Sequence, residues 1–310
     1  MENRHVIFMG TPEIAATVLK SLLECNVVVD LVVTQPDKKI GRKQTIQYSP
    51  VKELALENEI EVFQPVRIKQ EYEFLYKYKP DLIVTCAYGQ IVPKEVLDLP
   101  VQGCVNLHGS LLPQYRGGAP IQRAIWDGLT VSGMTLMKMD VKMDAGAIYK
   151  QLEIPILEND NMTSMFEKMG IGAGELLKEN IESLLNGTAE FVEQDEAKVT
   201  YAPIITKAEE HIDLNQEDVT IFNQIRALSF QPGAYVIVKN KKLKILEAVY
   251  EKKEVQQLGL IEAVGKKNMD IHLHEGVLHI LSCQMEGKPV MNIKDFMNGQ
   301  GRTLAGNIVE

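Results

Sequence analysis

The 310-residue chain is 45% apolar and 24% charged, with 22 Gly and 13 Pro, proportions that exclude intrinsic disorder, a collagen-like repeat and a disulfide scaffold. Its net charge of −9 argues at face value against a nucleic-acid partner, but residues 153–206 alone carry 3 Lys+Arg against 11 Asp+Glu. Either flank can therefore still present a basic surface. Cys25, Cys86, Cys104 and Cys283 show no C-x-x-C spacing, so a zinc knuckle or redox pair has nothing to build on and a reducing cytoplasm fits. No run approaches 18 apolar residues and none near Met1 is long enough for a signal peptide, so the chain is expected to be cytoplasmic with no membrane contact.

In chain order, His5–Gly10 reads as a buried strand, followed by a helix with Thr11 as N-cap and Pro12 at its first position. Further strands are expected at 27–34, 81–87, 104–108 and 134–140, with helices near 50–58, 68–78 and 119–127. This alternation predicts an α/β fold, a Rossmann-like, mostly parallel sheet with helices on both faces. Ligands of such sheets bind beyond the carboxyl ends of the strands, so the residues just after Gly10, Ala87 and His108 are where chemistry is expected. Residues 161–186 show a helical pattern broken by Gly170, Gly172 and Gly174, and a polar, acidic stretch follows. From Ala234 short strands recur, at 235–239, 242–250, 259–264, 269–274 and 277–282, predicting a smaller C-terminal β-barrel, OB-like. The expected division is 1–205, including a helical and acidic linker over about 160–205, and 206–310.

Gly10-Thr-Pro lacks the G-x-G-x-x-G fingerprint, so no nucleotide cofactor is expected. Asn106-Leu107-His108 is more informative. Residues two apart on a strand share a face, so the amide and the imidazole emerge together at the strand's carboxyl end. Such a pair suits a carbonyl that becomes an oxyanion, with His moving a proton; on local grounds it equally fits a satisfied polar cluster. Asp144 before Ala145-Gly146 reads by itself as a turn residue. His272 and His274 share a predicted strand face that reads as solvated, and no metal is expected. Lys38, Lys39, Arg42 and Lys43 put four cations within six residues of a predicted loop of about 14, which favours phosphate contact. Lys239, Lys241, Lys242 and Lys244 read either as a second phosphate surface or as a solvated hairpin.

Asn106-Leu-His108, Ser110-Leu-Leu-Pro113, Arg116-Gly-Gly-Ala-Pro-Ile-Gln-Arg-Ala-Ile-Trp126, Met139-Asp-Val-Lys-Met-Asp-Ala-Gly146 and Ala87-Tyr-Gly-Gln-Ile-Val-Pro93 resemble the 10-formyltetrahydrofolate-dependent formyltransferases. Within that family the chain is most similar to members whose acceptor is methionyl-initiator tRNA, through Ser49-Pro-Val-Lys52, Thr200-Tyr-Ala-Pro203, Lys207, Ile212-Asp213, Ile225-Arg-Ala227 and Pro232-Gly-Ala-Tyr235. The resemblance covers essentially the whole chain and departs at 228–231 and Leu214. It implies that Asn106, His108 and Asp144 are catalytic. It also implies that Ser110, Leu111, Leu112 and Pro113, with Tyr88, Gly89, Gln90, Ile91 and Val92, line the pterin pocket largely through backbone groups. Lys38, Lys39, Arg42 and Lys43, with Arg42 as the key side chain, and Lys207 would contact tRNA. The implied substrates are 10-formyltetrahydrofolate and methionyl-initiator tRNA, with no metal, and a monomer is expected. Two other readings use the same residues: formylation of an amino-sugar nucleotide or hydrolysis of formyl-folate, and a noncatalytic RNA-binding protein.

Overall fold

The computed structural model describes residues 4–40 and 44–310. The chain folds as two compact units, Met1–Pro120 with Val131–Pro155 and Phe166–Ala202, and Ile121–Thr130 with Ile156–Met165 and Pro203–Glu310.

In chain order the elements begin with β1 (His5–Gly10), α1 (Glu13–Leu23), β2 (Val28–Val33), the short strands β3 (Lys38–Ile40) and β4 (Thr45–Gln47), α2 (Pro50–Glu57) and β5 (Val62–Phe63). Next come α3 (Ile68–Glu71), which runs on as a 3-10 turn to Lys77, β6 (Leu82–Cys86), α4 (Lys94–Leu97), β7 (Cys104–His108), α5 (Pro120–Trp126), β8 (Val131–Lys138), β9 (Ile148–Pro155) and α6 (Met162–Leu185). The sheet order is β5-β2-β1-β6-β7-β8-β9. Pairing is parallel from β5 to β7 and antiparallel for β8 and β9. Val6, Ile7, Phe8 and Met9 are fully buried, as an internal strand covered on both faces requires. Chain connections leave β1 for β2 on one side and return to β6 on the other, so the carboxyl ends of β1 and β6 flank the switch point of the sheet.

The structure differs from the sequence expectations at several points. Thr11 does not cap α1: its hydroxyl donates to the Tyr88 carbonyl at 3.0 Å, and the helix begins at Glu13 without a side-chain cap. By contrast, Ser49 caps α2, accepting from the Lys52 amide at 3.1 Å ahead of Pro50. Lys38 and Lys39 lie on a strand rather than a loop, because β3 pairs antiparallel with β4. Gly170, Gly172 and Gly174 do not break α6. They let it approach its neighbours: a Cβ at Gly170 would lie 3.3 Å from Thr17 Cβ, one at Gly172 would lie 2.8 Å from Ile154 Cδ1, and one at Gly174 would collide with Ser21. The glycines thus set the distance of α6 from Thr17 and Ser21 of α1 and from Leu152 and Ile154 of β9.

The second unit contains α7 (Asp218–Ala227), β10 (Ala234–Val238), β11 (Lys241–Lys252), β12 (Ile261–Val264), β13 (Asn268–His272), β14 (Gly276–Met285), β15 (Met291–Asn292) and α8 (Ile293–Asn298). These strands form an antiparallel sheet of order β10-β11-β14-β13-β12, with β15 on β14. The last residues join its two edges. The Asn307 carbonyl accepts from Ile261 N at 2.9 Å, and Glu310 exchanges both backbone bonds with Ile237 at 2.7 and 2.8 Å. Ile221, Ile225, Val236, Ile245, Ile271, Ile280 and Phe296 fill the core beneath. His272 and His274 do not share a solvated face. His272 is only 2% exposed, donating from Nε2 to Glu262 at 2.8 Å and accepting from Gln256 N on Nδ1 at 3.1 Å, whereas His274 lies past the end of β13. Among the described residues no helix is long and apolar enough to cross a membrane.

Candidate active site

All groups of the site lie in the first unit. Strand register places Asn106 beside Thr85 of β6 and Met137 of β8, and His108 beside Thr135 of β8. The Thr85 hydroxyl donates to Asn106 Oδ1 at 2.8 Å, which fixes the oxygen end of the amide and leaves Nδ2 as its donor end. His108, 6% exposed, has Nε2 2.9 Å from the Tyr115 carbonyl oxygen. A carbonyl only accepts, so Nε2 carries the hydrogen, and in the neutral ring Nδ1 is the lone-pair nitrogen. That nitrogen faces Asp144 Oδ1 at 3.6 Å. The other carboxylate oxygen, Oδ2, accepts from Gly117 N at 2.9 Å. Asn106, His108 and Asp144 therefore converge on the carboxyl end of β7, although 36 residues of chain separate His108 from Asp144.

The loop after β7 is tied from behind. Ser110 Oγ donates to the Gln114 carbonyl at 2.6 Å, the Thr135 hydroxyl donates to the Ser110 carbonyl at 2.6 Å, and Leu112 N donates to Thr135 Oγ1 at 3.1 Å. Gln151 Nε2 reaches the Leu112 carbonyl at 2.9 Å. Ser110 and Leu112 are buried, while Leu111 and Pro113 are partly exposed. In the other expected pocket segment Tyr88 and Val92 join an apolar cluster with Ile83 and Cys104, and Gly89 and Ile91 are exposed. Gln90 spends its amide on the scaffold, accepting from Ile68 N at 2.8 Å and donating to the Pro65 carbonyl at 3.1 Å. Burial raises the Tyr88 phenol, so it stays protonated and serves as a wall. Burial also pushes the Cys86 thiol up to about 12 and raises Cys104, which removes both as nucleophiles at neutral pH.

Two neighbours of the site were not assigned from sequence. Arg116, 1% exposed, donates from Nε and Nη2 to Gln194 Oε1 at 3.0 and 2.8 Å and pairs with Glu196 at 2.8 Å. Gln194 lies 78 residues downstream in a stretch that reads only as polar, and nothing periodic or motif-like marks it. Residues 200–202 run beside the loop: Thr200 Oγ1 accepts from Tyr115 N at 2.9 Å, and the Ala202 carbonyl accepts from Ala119 N at 3.1 Å. Gly117, at φ 127, passes so close that a Cβ there would lie 2.6 Å from the Ala202 oxygen, which only glycine accommodates. Of the expected tRNA contacts, Lys38 and Lys39 are exposed on β3, Lys207 is exposed in the second unit, and Arg42 and Lys43 lie outside the described residues.

Residues 3–181 match the family model of formyl transferase, and residues 204–301 match that of the formyl transferase C-terminal domain. The methionyl-tRNA formyltransferase of Latilactobacillus sakei subsp. sakei (strain 23K) is 41% identical over 304 residues, covering 97% of this chain and 96% of its own. That of Listeria monocytogenes serotype 4a (strain HCC23) is 45% identical, with 97% of both chains covered. Among solved structures, HypX from Aquifex aeolicus in complex with tetrahydrofolic acid has a TM-score of 0.70 at 20% identity, covering 98% of this chain and 48% of its own. The N-formyltransferase from Helicobacter canadensis, solved with folinic acid and dTDP-3-aminofucose, has a TM-score of 0.66 at 22% identity, covering 90% of this chain and 98% of its own. These two likenesses concern the fold.

Proposed function

The chain belongs to the methionyl-tRNA formyltransferase family, and on that basis we propose that it transfers the formyl group of 10-formyltetrahydrofolate to the α-amine of methionyl-initiator tRNA for the start of protein synthesis. The observation that carries the chemistry is that Asn106, whose Oδ1 is held by Thr85 so that Nδ2 is left to donate, shares one strand end with the His108–Asp144 pair.

A free α-amine has a pKa of roughly 8, so a useful fraction is already neutral at pH 7 and the nucleophile needs little activation. The amine nitrogen attacks the formyl carbon, the new C–N bond forms, and the carbonyl electron pair moves onto oxygen. Asn106 Nδ2 donates to that oxyanion. Because Nε2 of His108 is occupied by the Tyr115 carbonyl, the proton leaving the amine passes to Nδ1, where the Asp144 carboxylate balances the imidazolium charge. The C–N10 bond then breaks, and N10 takes the proton from Nδ1. One formyl group and one proton change places, and His108 returns to its starting form.

Gly89, Ile91, Leu111 and Pro113, exposed or partly exposed in the two segments beyond β6 and β7, are proposed to line the pterin, with the buried Tyr88, Val92, Ser110 and Leu112 and the partly exposed Gln90, whose amide bonds the scaffold, as its support. Residues 1–205 are proposed as the folate and catalytic part, and 206–310 as the tRNA-binding β domain with Lys207 at its start. Lys38, Lys39, Arg42 and Lys43 would meet tRNA phosphates. A monomer is proposed as the acting unit, and an aminoacyl-tRNA substrate supports a cytoplasmic location. The test is formyl transfer from 10-formyltetrahydrofolate to charged initiator tRNA, charged elongator tRNA and dTDP-amino sugars side by side. Selective formylation of charged initiator tRNA is expected, and transfer to the amino sugars alone would overturn the acceptor.

A further inference from the structure

We propose that Gln194 is a positioning residue for formyl transfer, holding the turn that presents Asp144 to His108; this rests on the catalytic reading of that pair.

Asp144 adopts φ 51, a left-handed backbone that a non-glycine residue keeps only when its surroundings over-determine it. Gln194 supplies that determination. Its Nε2 spends both hydrogens on the turn, donating to the Asp144 carbonyl at 2.9 Å and to the Gly146 carbonyl at 2.7 Å. Its Oε1 is fixed in turn by two donors of the buried Arg116 guanidinium at 3.0 and 2.8 Å. The residue after Arg116, Gly117, gives its amide to Asp144 Oδ2 at 2.9 Å. Asp144 is thus gripped at its carbonyl through Gln194 and at its carboxylate through Gly117, and the two grips meet at adjacent residues of one loop. The same downstream stretch also steadies the imidazole, because Thr200 Oγ1 takes the amide of Tyr115, whose carbonyl holds His108 Nε2.

Glutamine fits this place by its donor and acceptor count, two of each with all four used. Glutamate would keep both bonds from Arg116 but turn a carboxylate oxygen toward two carbonyls. Methionine would fill a similar volume and make none of the four bonds. A purely structural role, satisfying the buried Arg116, predicts instead that Gln194→Met alone lowers turnover, since Gln194→Glu leaves Arg116 paired.

The test measures kcat and KM for both substrates in Gln194→Glu and Gln194→Met, alone and combined with Asp144→Asn, with folding followed by circular dichroism. The expected result is a kcat lowered about 10- to 100-fold in both single variants, with KM values within about threefold, since a misplaced group of the site costs turnover rather than affinity. In the Asp144→Asn background the Gln194 changes should cost no more than about twofold, because the group they position is already gone. Wild-type kcat in folded Gln194→Glu, or losses that multiply with that of Asp144→Asn, would overturn the positioning role while leaving the catalytic pair in place. Full activity of Asp144→Asn alone would overturn both. Gln194→Glu keeps the Arg116 bonds, so it carries the test if Gln194→Met does not fold.

Discussion

The Tyr115 carbonyl oxygen lies 2.9 Å from His108 Nε2 and takes its hydrogen, which leaves Nδ1 as the nitrogen that gains and loses a proton. The assignment matters because Nδ1 is also the atom nearest Asp144, at 3.6 Å. A proton arriving there meets a carboxylate, and the carboxylate is itself held by Gly117 N. The loop between β7 and α5 therefore fixes both the tautomer of the base and the place of its counter-charge.

The close approach of α6 to α1 gives a stability prediction. Gly174→Ala should gain up to about 1 kcal/mol of helix propensity. It should lose more than that, about 1–3 kcal/mol, because the new methyl meets Ser21 Oγ and lies 3.0 Å from Ser21 Cβ. A lower melting temperature is expected by thermal circular dichroism, with partial recovery in Gly174→Ala combined with Ser21→Ala. A raised melting temperature in the single variant would mean that the helices have room to spare.

The Arg123–Glu209 pair in the second unit predicts a pH dependence. The Arg123 hydrogen bond, at 2.7 Å, and those from Thr206 N and Oγ1, both 2.8 Å, hold the Glu209 carboxyl down to about 2 from its ordinary 4.5. A lowered carboxylate stabilises the fold above its unfolded value and loses that contribution as pH falls through the folded one. Denaturant titrations should therefore show wild type ahead of Glu209→Gln by a constant margin above about pH 5, fading toward pH 2. Glu209 is a third exposed, so the margin is at most about 1 kcal/mol. An undiminished margin at pH 2 would show that something other than its charge is responsible.

For tRNA, each of Lys38→Ala, Lys39→Ala, Arg42→Ala and Lys43→Ala should weaken binding while leaving formyl-folate binding unchanged. Every lost phosphate contact should lower the steepness of log affinity against log salt by somewhat under one unit. Titrations of initiator and elongator tRNA at several salt concentrations check this. Wild-type affinity and slope in all four variants would leave recognition to the β domain.

Much of this arrangement was legible in the chain because its signals were local. β1 and β6 are apolar runs containing Val and Ile and buried on both faces, and in β7 the two-residue period alone put Asn106 and His108 on one side. α7 was missed, since its buried face includes Asp218, Asn223 and Gln224 and shows little apolar stripe. β9 was missed for a related reason: as an edge strand it buries only Ile154 among its eight residues. The glycines of α6 were misjudged because close helix approach depends on what stands opposite, here Thr17, Ser21 and Ile154. At the site the resemblance pointed to Asp144, but Gln194 acts across 50 residues of sequence on two backbone carbonyls, and backbone partners leave no trace in residue types.

The most direct measurement of the chemistry is the single-turnover rate of formyl transfer at saturating 10-formyltetrahydrofolate and charged initiator tRNA in Asn106→Ala and His108→Ala. Asn106→Ala removes an oxyanion donor, usually about 3–4 kcal/mol of transition-state stabilisation, and His108→Ala removes the proton carrier, so both rates should fall roughly 10²- to 10⁴-fold with circular dichroism unchanged. A folded variant of either kind that transfers the formyl group within about twofold of the wild-type rate would contradict the assignment of the reaction to this strand end.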